Sequence, residues 1–214
     1  MLGWMTPAGA QSMAPDDGDL AQPPALGAVA PQAGDATAPR RHERVANAAA
    51  LTDAEASAIY GRLVDEMAAN YRRSGLPLAA AYRHWRRFNT VPYRSATHGR
   101  RYVNNYVNPT GAAYGDFEAA GRLPEGSVVV KDSFTVDRGG HIAPGPMFVM
   151  EKMARGFNYV SGDWRYSVIA ADGHVLGATK GANAAQVDYC VACHLAREAY
   201  DHLYFPPAEY RVRF

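Results

Sequence analysis

The stretch GSVVVKDSFTVD, residues 126–137, sets the architecture of this 214-residue chain. Its β-branched and aromatic residues favour a β-strand over a helix. Because side chains alternate between the two faces of a strand, Val129, Lys131 and Ser133 share one face. The opposite face carries Val128, Val130, Asp132 and Phe134. The stretch is therefore predicted to be one strand of a sheet, with Lys131 on a half-apolar face.

Similar strand patterns lie on both sides of this stretch. Gly- and Pro-rich breaks separate them, and the pair Asp172-Gly173 inside the last one is a strong hairpin signal. Short strands joined by short turns predict an antiparallel sheet across residues 100–180. The patterns are RRYVNNYV (100–107), PMFVMEKM (146–153) and DWRYSVIAADGHVLGATK (163–180).

Helices are predicted across residues 52–88, before the sheet. Thr52 followed by Glu55 forms a capping box, and apolar residues then recur at helical spacing until Gly75 ends the helix. A second, shorter helix is predicted in LPLAAAYRHWRRFN, residues 76–89, and another begins at Asn108-Pro109. Together these elements predict an α+β fold in which helices pack on one side or at the ends of an antiparallel sheet.

Residues 1–44 are dominated by Ala, Pro, Gly, Asp and Gln, which cannot bury enough apolar surface to fold. We predict a disordered leader or tether, followed by one folded domain over residues 45–214. No secretory signal is evident at the start, since a basic region and a continuous apolar region are missing. A net charge of +1 does not suggest nucleic acid as a partner, and no apolar run is long enough to span a bilayer.

Both cysteines of the chain lie in DYCVACH, residues 188–194, which contains the pattern C-x-x-C-H. A redox dithiol does not require the histidine, and a structural zinc site would need two further histidines as ligands. The pattern is the signature of covalent c-type haem attachment, in which Cys190 and Cys193 form thioethers and His194 binds the iron. We favour one covalently bound haem c, because the motif uses every cysteine. The segment 184–202 is predicted to be a C-terminal haem-attachment helix.

The order of these segments resembles the cytochrome P-460 family over roughly residues 78–212. The resemblance implies a single c-type haem held against an antiparallel sheet, often in a homodimer. It is carried by PYRSATHGRRYVNNYVN (92–108), GRLPEGSVVVKDSF (121–134), GPMFVMEKMARGFNYVSGDWRY (145–166) and VDYCVACH (187–194).

Some members of that family oxidise hydroxylamine with a haem cross-linked to a lysine, and Lys131 matches that lysine. The resemblance thus implies oxidation of a small nitrogen compound at a five-coordinate iron, with a partner cytochrome accepting the electrons. Related cytochromes c′-β bind nitric oxide or other diatomic gases without the cross-link, which gives one alternative. A plain electron carrier is another. Covalent haem attachment ordinarily occurs outside the cytoplasm, so we expect a periplasmic location.

The catalytic base is the least defined part of the predicted site. Glu151 is the candidate, with Asp132 and Asp163 as rivals, although Glu151 could instead form an ion pair with Arg155 or Lys152. His98 could line the pocket or satisfy a turn. Three methionines, a common type of sixth iron ligand, are expected to fill the core. These are Met147, Met150 and Met153.

Overall fold

The computed structural model describes Met1, His42 and residues 44–213. The chain divides into residues 1–38 and 39–214, and the fold described below belongs to the second unit. The predicted leader, residues 1–44, lies outside the described residues except for Met1, His42 and Arg44.

The described residues form an eight-stranded antiparallel sheet. Its order is β1-β3-β4-β6-β7-β8, with β2 also pairing with β3 and β5 with β4. The strands are β1 (Arg86–Arg87), β2 (Tyr93–Arg94), β3 (Tyr102–Val107), β4 (Val128–Val136), β5 (Ile142–Pro144), β6 (Met147–Lys152), β7 (Trp164–Ile169) and β8 (Val175–Ala178).

Three α-helices of the described residues pack around this sheet, which confirms the predicted α+β class. They are α1 (Asp53–Arg72), α2 (Pro77–Ala81) and α3 (Asp188–Leu195). Short 3₁₀ segments connect the elements at Tyr82–His84, Pro109–Ala119, Tyr159–Ser161, Ala184–Gln186, Glu198–Tyr200 and Ala208–Tyr210. In the same residues, no helix combines the length and apolar character that crossing a membrane requires.

The start of α1 has the predicted capping box. The Thr52 hydroxyl accepts the Glu55 backbone N–H at 3.3 Å, and the Glu55 carboxylate accepts the Thr52 backbone N–H at 2.8 Å. The helix ends before Gly75, whose φ of +72° suits glycine. Its buried side chains, from Ala56 to Tyr71, pack against one face of the sheet.

The two faces of β4 belong to two different cores, as its alternating pattern predicts. Val130 and Phe134 join the core under α1 and α2, whereas Val129 joins the core that contains Cys190 of α3. The sheet therefore separates a helix-covered face from a face covered by α3 and the C-terminal segment.

Three segments differ from the sequence prediction. The second helix stops at Ala81, and Arg86–Arg87, which were predicted to lie in it, instead pair with Val107 and Tyr106 of β3. Residues 109–119 form a kinked 3₁₀ segment rather than a regular helix, with Phe117 at φ +52°. The α-helix carrying the cysteines begins only at Asp188. The hairpin between β7 and β8 forms at Asp172-Gly173 as predicted.

A buried carboxylate ties the helices to the sheet. Asp132 accepts hydrogen bonds from the hydroxyls of Tyr60, at 2.6 Å, and Tyr82, at 3.3 Å, and from the Asn104 side-chain amide at 3.1 Å. Loss of solvent outweighs these bonds and raises the pKa of Asp132 to about 6. Asp132 therefore faces the helices, on the side of the sheet opposite Lys131.

This raised pKa makes stability depend on pH. Between pH 4 and 6 the folded state holds a proton on Asp132 that the unfolded chain has released, so rising pH lowers the free energy of unfolding. Asp132→Asn cannot titrate. We therefore expect its stability deficit relative to wild type to shrink, on the order of 2 kcal/mol, from pH 4 to pH 7 in urea unfolding of the haem-loaded protein. A deficit that stays constant with pH would contradict this expectation.

Candidate functional site

A cavity lies on the face of the sheet that α3 covers. Its apolar wall comes from β4, β6 and β7, and five chemically active side chains also line it. These are His42, His98, Lys131, Cys190 and His194. The site is therefore mostly apolar with a few polar groups, as is usual for cofactor pockets.

Both thiols lie on α3, three residues apart, and helical residues at this spacing share a face. Cys190 is buried and Cys193 is exposed, and both are free thiols. Both also line a small cavity adjoining the first, together with His194. Burial raises the pKa of the Cys190 thiol to about 12. The two sulfurs and the imidazole thus meet at one end of the site.

The orientation of His194 is fixed by a backbone hydrogen bond. Its Nδ1 donates to the carbonyl oxygen of His202 at 2.6 Å, so the lone pair of the neutral ring is on Nε2. No described residue provides a hydrogen-bond partner for Nε2. Burial, and secondarily the charge of Lys131, lowers the pKa of His194 to about 3. The ring is therefore neutral at physiological pH, which is the form that binds metals.

A buried ion pair holds the carbonyl that orients His194. Lys152 on β6 pairs with the carboxylate of Asp201, and both side chains are buried. Asp201 also accepts the Leu123 backbone N–H at 2.9 Å, and its own carbonyl accepts the Trp164 indole N–H at 2.8 Å. Asp201 and His202 both have positive φ angles, so these contacts hold a bent loop in place. This arrangement was not predicted from the sequence, although a lysine within an apolar strand was a signal for it.

Lys131 is buried and lines the cavity from the centre of β4. It lies opposite Asn105 on β3 and Phe148 on β6. Burial lowers the pKa of its amine to about 8, and no hydrogen bond or ion pair joins the amine to the described residues. The lowered pKa increases the neutral fraction of this amine, and a neutral amine is nucleophilic.

None of the three predicted carboxylates lines this cavity. Glu151 forms an ion pair with Arg165, its cross-strand neighbour, at 2.7 Å rather than with Arg155 or Lys152. Asp163 accepts the backbone N–H groups of the loop before it and pairs with Arg122. Asp132 faces the helices. Within the described part of the chain, the candidate base Glu151 thus has no geometric support.

The remaining site candidates from the sequence are His98 and the methionines, and only some of them line the cavity. His98 reaches the cavity and also contacts the hydroxyls of its own turn, so both expected roles coincide. Met150 lines the cavity, whereas Met147 lies in the core under the helices. Among the described residues, no three His, Cys, Asp or Glu side chains are grouped to hold a metal ion, which leaves the zinc alternative without a ligand set.

A c-type haem suits the residues of this cavity. They supply two thiols, apolar walls and an imidazole whose Nε2 has no hydrogen-bond partner among the described residues. The buried hydroxyl of Tyr166 also lines the cavity and has no partner among the described residues, and such groups are normally satisfied by something bound nearby. The cavity, about 30 Å³ in volume, is bounded by a wall of mostly apolar side chains. His42 contributes to that wall from outside the sheet and the helices.

The fold and the site together fit a c-type haem protein built on an antiparallel sheet. A protein-family model described as Cytochrome P460 matches residues 79–205, more than half of the chain, so the protein belongs to the cytochrome P460 family. This confirms the resemblance drawn from the sequence, and the family implies a haem c cofactor. A search of curated proteins gave no match.

The ion pair behind His194 gives a testable prediction. Asp201→Asn leaves the Lys152 ammonium buried without its counter-charge, so we expect a loss of about 3 kcal/mol in the free energy of unfolding. The loosened His202 carbonyl should also polarise His194 less, which raises the reduction potential of the haem-loaded protein. Spectroelectrochemistry and urea unfolding measure the two effects.

Glu151→Gln is the matched control, because it removes a partly exposed ion pair that lies away from the cavity. We expect it to cost less than about 1 kcal/mol and to leave the potential unchanged. An unchanged potential in folded Asp201→Asn would show that the ion pair does not control His194.

Proposed function

We propose that this protein is a mono-haem c-type cytochrome that oxidises a small nitrogen compound, with hydroxylamine as the leading candidate. One observation carries the proposal: the buried Lys131 amine lines the same cavity as Cys190 and His194. Hydroxylamine-oxidising members of the family use a lysine cross-linked to haem. When bound, the haem supplies an iron that can accept electrons from a small ligand.

Three residues would hold the haem. Cys190 and Cys193 would each add a thiol across a vinyl group, so that sulfur bonds to one vinyl carbon and the thiol hydrogen passes to the other. His194 would bind the iron through Nε2, with Nδ1 retained on the His202 carbonyl. The haem held in this way would supply the iron to which the nitrogen compound binds.

Lys131 would form a third covalent bond to the porphyrin, between its amine nitrogen and a ring carbon. This bond replaces one N–H and one C–H bond, so two protons and two electrons must leave. Hydrogen peroxide can take them and become two molecules of water. The low pKa of the buried amine supports this role, because the neutral amine can attack carbon and the ammonium ion cannot.

The proposed reaction also requires partners. Oxidation of a nitrogen compound releases more electrons than one haem can store, so a second cytochrome would accept them. We place the protein in the periplasm, because covalent haem attachment ordinarily happens outside the cytoplasm. We also propose a homodimer, on the family resemblance.

One observation favours a second function, the reversible binding of nitric oxide or carbon monoxide. The described wall of the cavity carries hydroxyls, one lysine, apolar groups and imidazoles whose lowered pKa values make them weak bases, but no carboxylate. Oxidation of hydroxylamine needs a proton acceptor near the iron, whereas the binding of a neutral diatomic gas does not. If Lys131 stays unbonded, this cavity would suit a gas-binding cytochrome.

Covalent attachment can be tested by extraction. Acid–acetone treatment of the holoprotein should leave the haem colour with the polypeptide, because thioethers survive acid. The double change Cys190→Ser and Cys193→Ser should release all of the colour into the solvent, since a hydroxyl does not replace the thiol in this addition. Colour that leaves the wild-type chain would refute the haem c assignment.

The Lys131 bond can be tested by mass spectrometry. Trypsin cannot cut after a bonded Lys131, so the peptide containing it should be joined through haem to the peptide with Cys190 and Cys193. Lys131→Arg keeps the charge but removes the nucleophilic amine, because guanidinium stays protonated. We expect this variant to keep its thioethers, to lose the far-red-shifted absorption of a cross-linked haem, and to lose most hydroxylamine oxidation.

Two results would separate the candidate functions. A free tryptic peptide ending at Lys131, recovered from fully haem-loaded protein, would refute the cross-link. If that protein also fails to oxidise hydroxylamine with an added electron acceptor but binds nitric oxide reversibly, the gas-binding function replaces the enzymatic one.

A further inference from the structure

Four arginines of the described residues meet around one surface cavity, which has a volume of about 450 Å³. All four are exposed, and no carboxylate in the described part of the chain pairs with any of them. This arginine cluster is a local excess of positive charge in a chain whose net charge is only +1. It consists of Arg44, Arg94, Arg100 and Arg138.

The backbone brings the arginine cluster together from three separate segments. The Val45 N–H donates to the Gly99 carbonyl at 2.9 Å, which ties the segment before α1 to the loop between β2 and β3. The Arg138 N–H donates to the Asn47 carbonyl at 2.8 Å, which ties the same segment to the turn between β4 and β5. Arginines that are distant in the sequence are therefore held at one place on the surface.

The arginine cluster adjoins the exposed end of the haem-attachment site. Arg44 also lines a neighbouring surface cavity of about 330 Å³, which Cys193 lines as well. Cys193 is the exposed thiol, and it in turn lines the small cavity that contains Cys190 and His194. The thioether proposed for Cys193 would therefore form next to the arginine cluster.

Another cavity with basic side chains differs in its charge balance. Arg122 and Lys152 line it. Arg122 pairs with Asp163 at 2.8 Å, and Lys152 pairs with Asp201. Carboxylates of the protein thus offset these two charges, whereas the charges of the arginine cluster are left to attract an anionic partner.

We propose that the arginine cluster is the docking surface for the electron-accepting protein, and that this partner carries a carboxylate-rich surface around its own redox centre. The inference rests on the proposed haem site and deepens the proposed function, because it assigns the place where electrons leave. Opposite charges speed the encounter and orient the two proteins. Electron transfer slows steeply with distance, so docking beside Cys193 would favour it. Each encounter would move one electron from the ferrous haem iron to the oxidised centre of the partner, with no bond made or broken.

Stopped-flow electron transfer from the chemically reduced holoprotein tests this proposal and needs no nitrogen compound. The acceptors are native cytochrome c, whose surface is basic, and succinylated cytochrome c, whose lysines carry carboxylates instead. At low salt the succinylated form should react faster, and added salt should slow it. The double change Arg44→Gln and Arg100→Gln should lower its rate constant about fivefold or more, because charges that attract carboxylates are removed.

Two variants provide the controls. Arg62→Gln with Arg72→Gln makes the same change in net charge at exposed positions of α1, on the opposite face of the sheet, and should change the rate less than about twofold. Arg44→Lys with Arg100→Lys keeps the charge and should keep the rate. The reduction potential of each variant, measured alongside, separates docking from driving force.

Several outcomes would overturn the proposal. They are native cytochrome c reacting as fast as the succinylated form at low salt, an equal loss of rate in the α1 variant, or an equal loss in the lysine variant. An arginine cluster that speeds oxidation by ferricyanide but not by succinylated cytochrome c would attract small anions without docking a protein, which also overturns it. The expected rates in a protein that does not oxidise hydroxylamine would refute the enzymatic function and leave the docking surface standing.

Discussion

The whole arrangement depends on the alternation of β4, which buries two opposite charges on consecutive residues. Asp132 and Lys131 lie on opposite faces of one strand at the centre of the sheet, and both are buried. Burying an ionised group is costly unless the group is paired or neutralised. Asp132 is satisfied by tyrosine hydroxyls under the helices, whereas Lys131 has a lowered pKa and no hydrogen-bond or ion-pair partner in the described part of the chain. One face of the strand thus holds the helices to the sheet through Asp132, and the other face places Lys131 in the cavity.

Around Lys131, the sheet and two loops each form a different part of the site. The sheet provides the rigid apolar wall. The loop containing Asp201 and His202 is held to β6 and β7 by the Lys152 ion pair and the Trp164 indole, and it sets the direction of His194. The loop containing His98 is closed on itself by its own hydroxyls. Each imidazole is therefore positioned by contacts that do not require a bound haem, which reduces the cost of organising the site when haem binds.

Local patterns in the sequence predicted the parts of the fold that depend on local physics. The Thr52 capping box, the two faces of β4 and the hairpin at Asp172-Gly173 each follow from residues close together in the chain. The C-x-x-C-H motif gave the class of cofactor for the same reason. The strand at Arg86–Arg87 was missed, because its residues favour a helix until β3 offers a pairing edge.

The parts of the site that were missed are contacts between distant residues. Glu151 pairs with Arg165, fourteen positions away, because β6 and β7 place them side by side. Lys152 and Asp201 are 49 positions apart. The position of His98 in the cavity depends on how its loop folds over the sheet. Periodicity can indicate which face a residue takes, but it cannot indicate which residue from another strand or loop will meet it there.

The unequal exposure of the two thiols has a consequence for the maturation of the protein. Cys193 is open to solvent, while Cys190 is enclosed by apolar side chains. A disulfide forms when a thiolate attacks, and an apolar environment suppresses the thiolate. In the folded chain Cys190 is therefore a poor nucleophile, which slows its pairing with Cys193 in a disulfide. The packing that shapes the cavity thus also disfavours a bond between the two thiols.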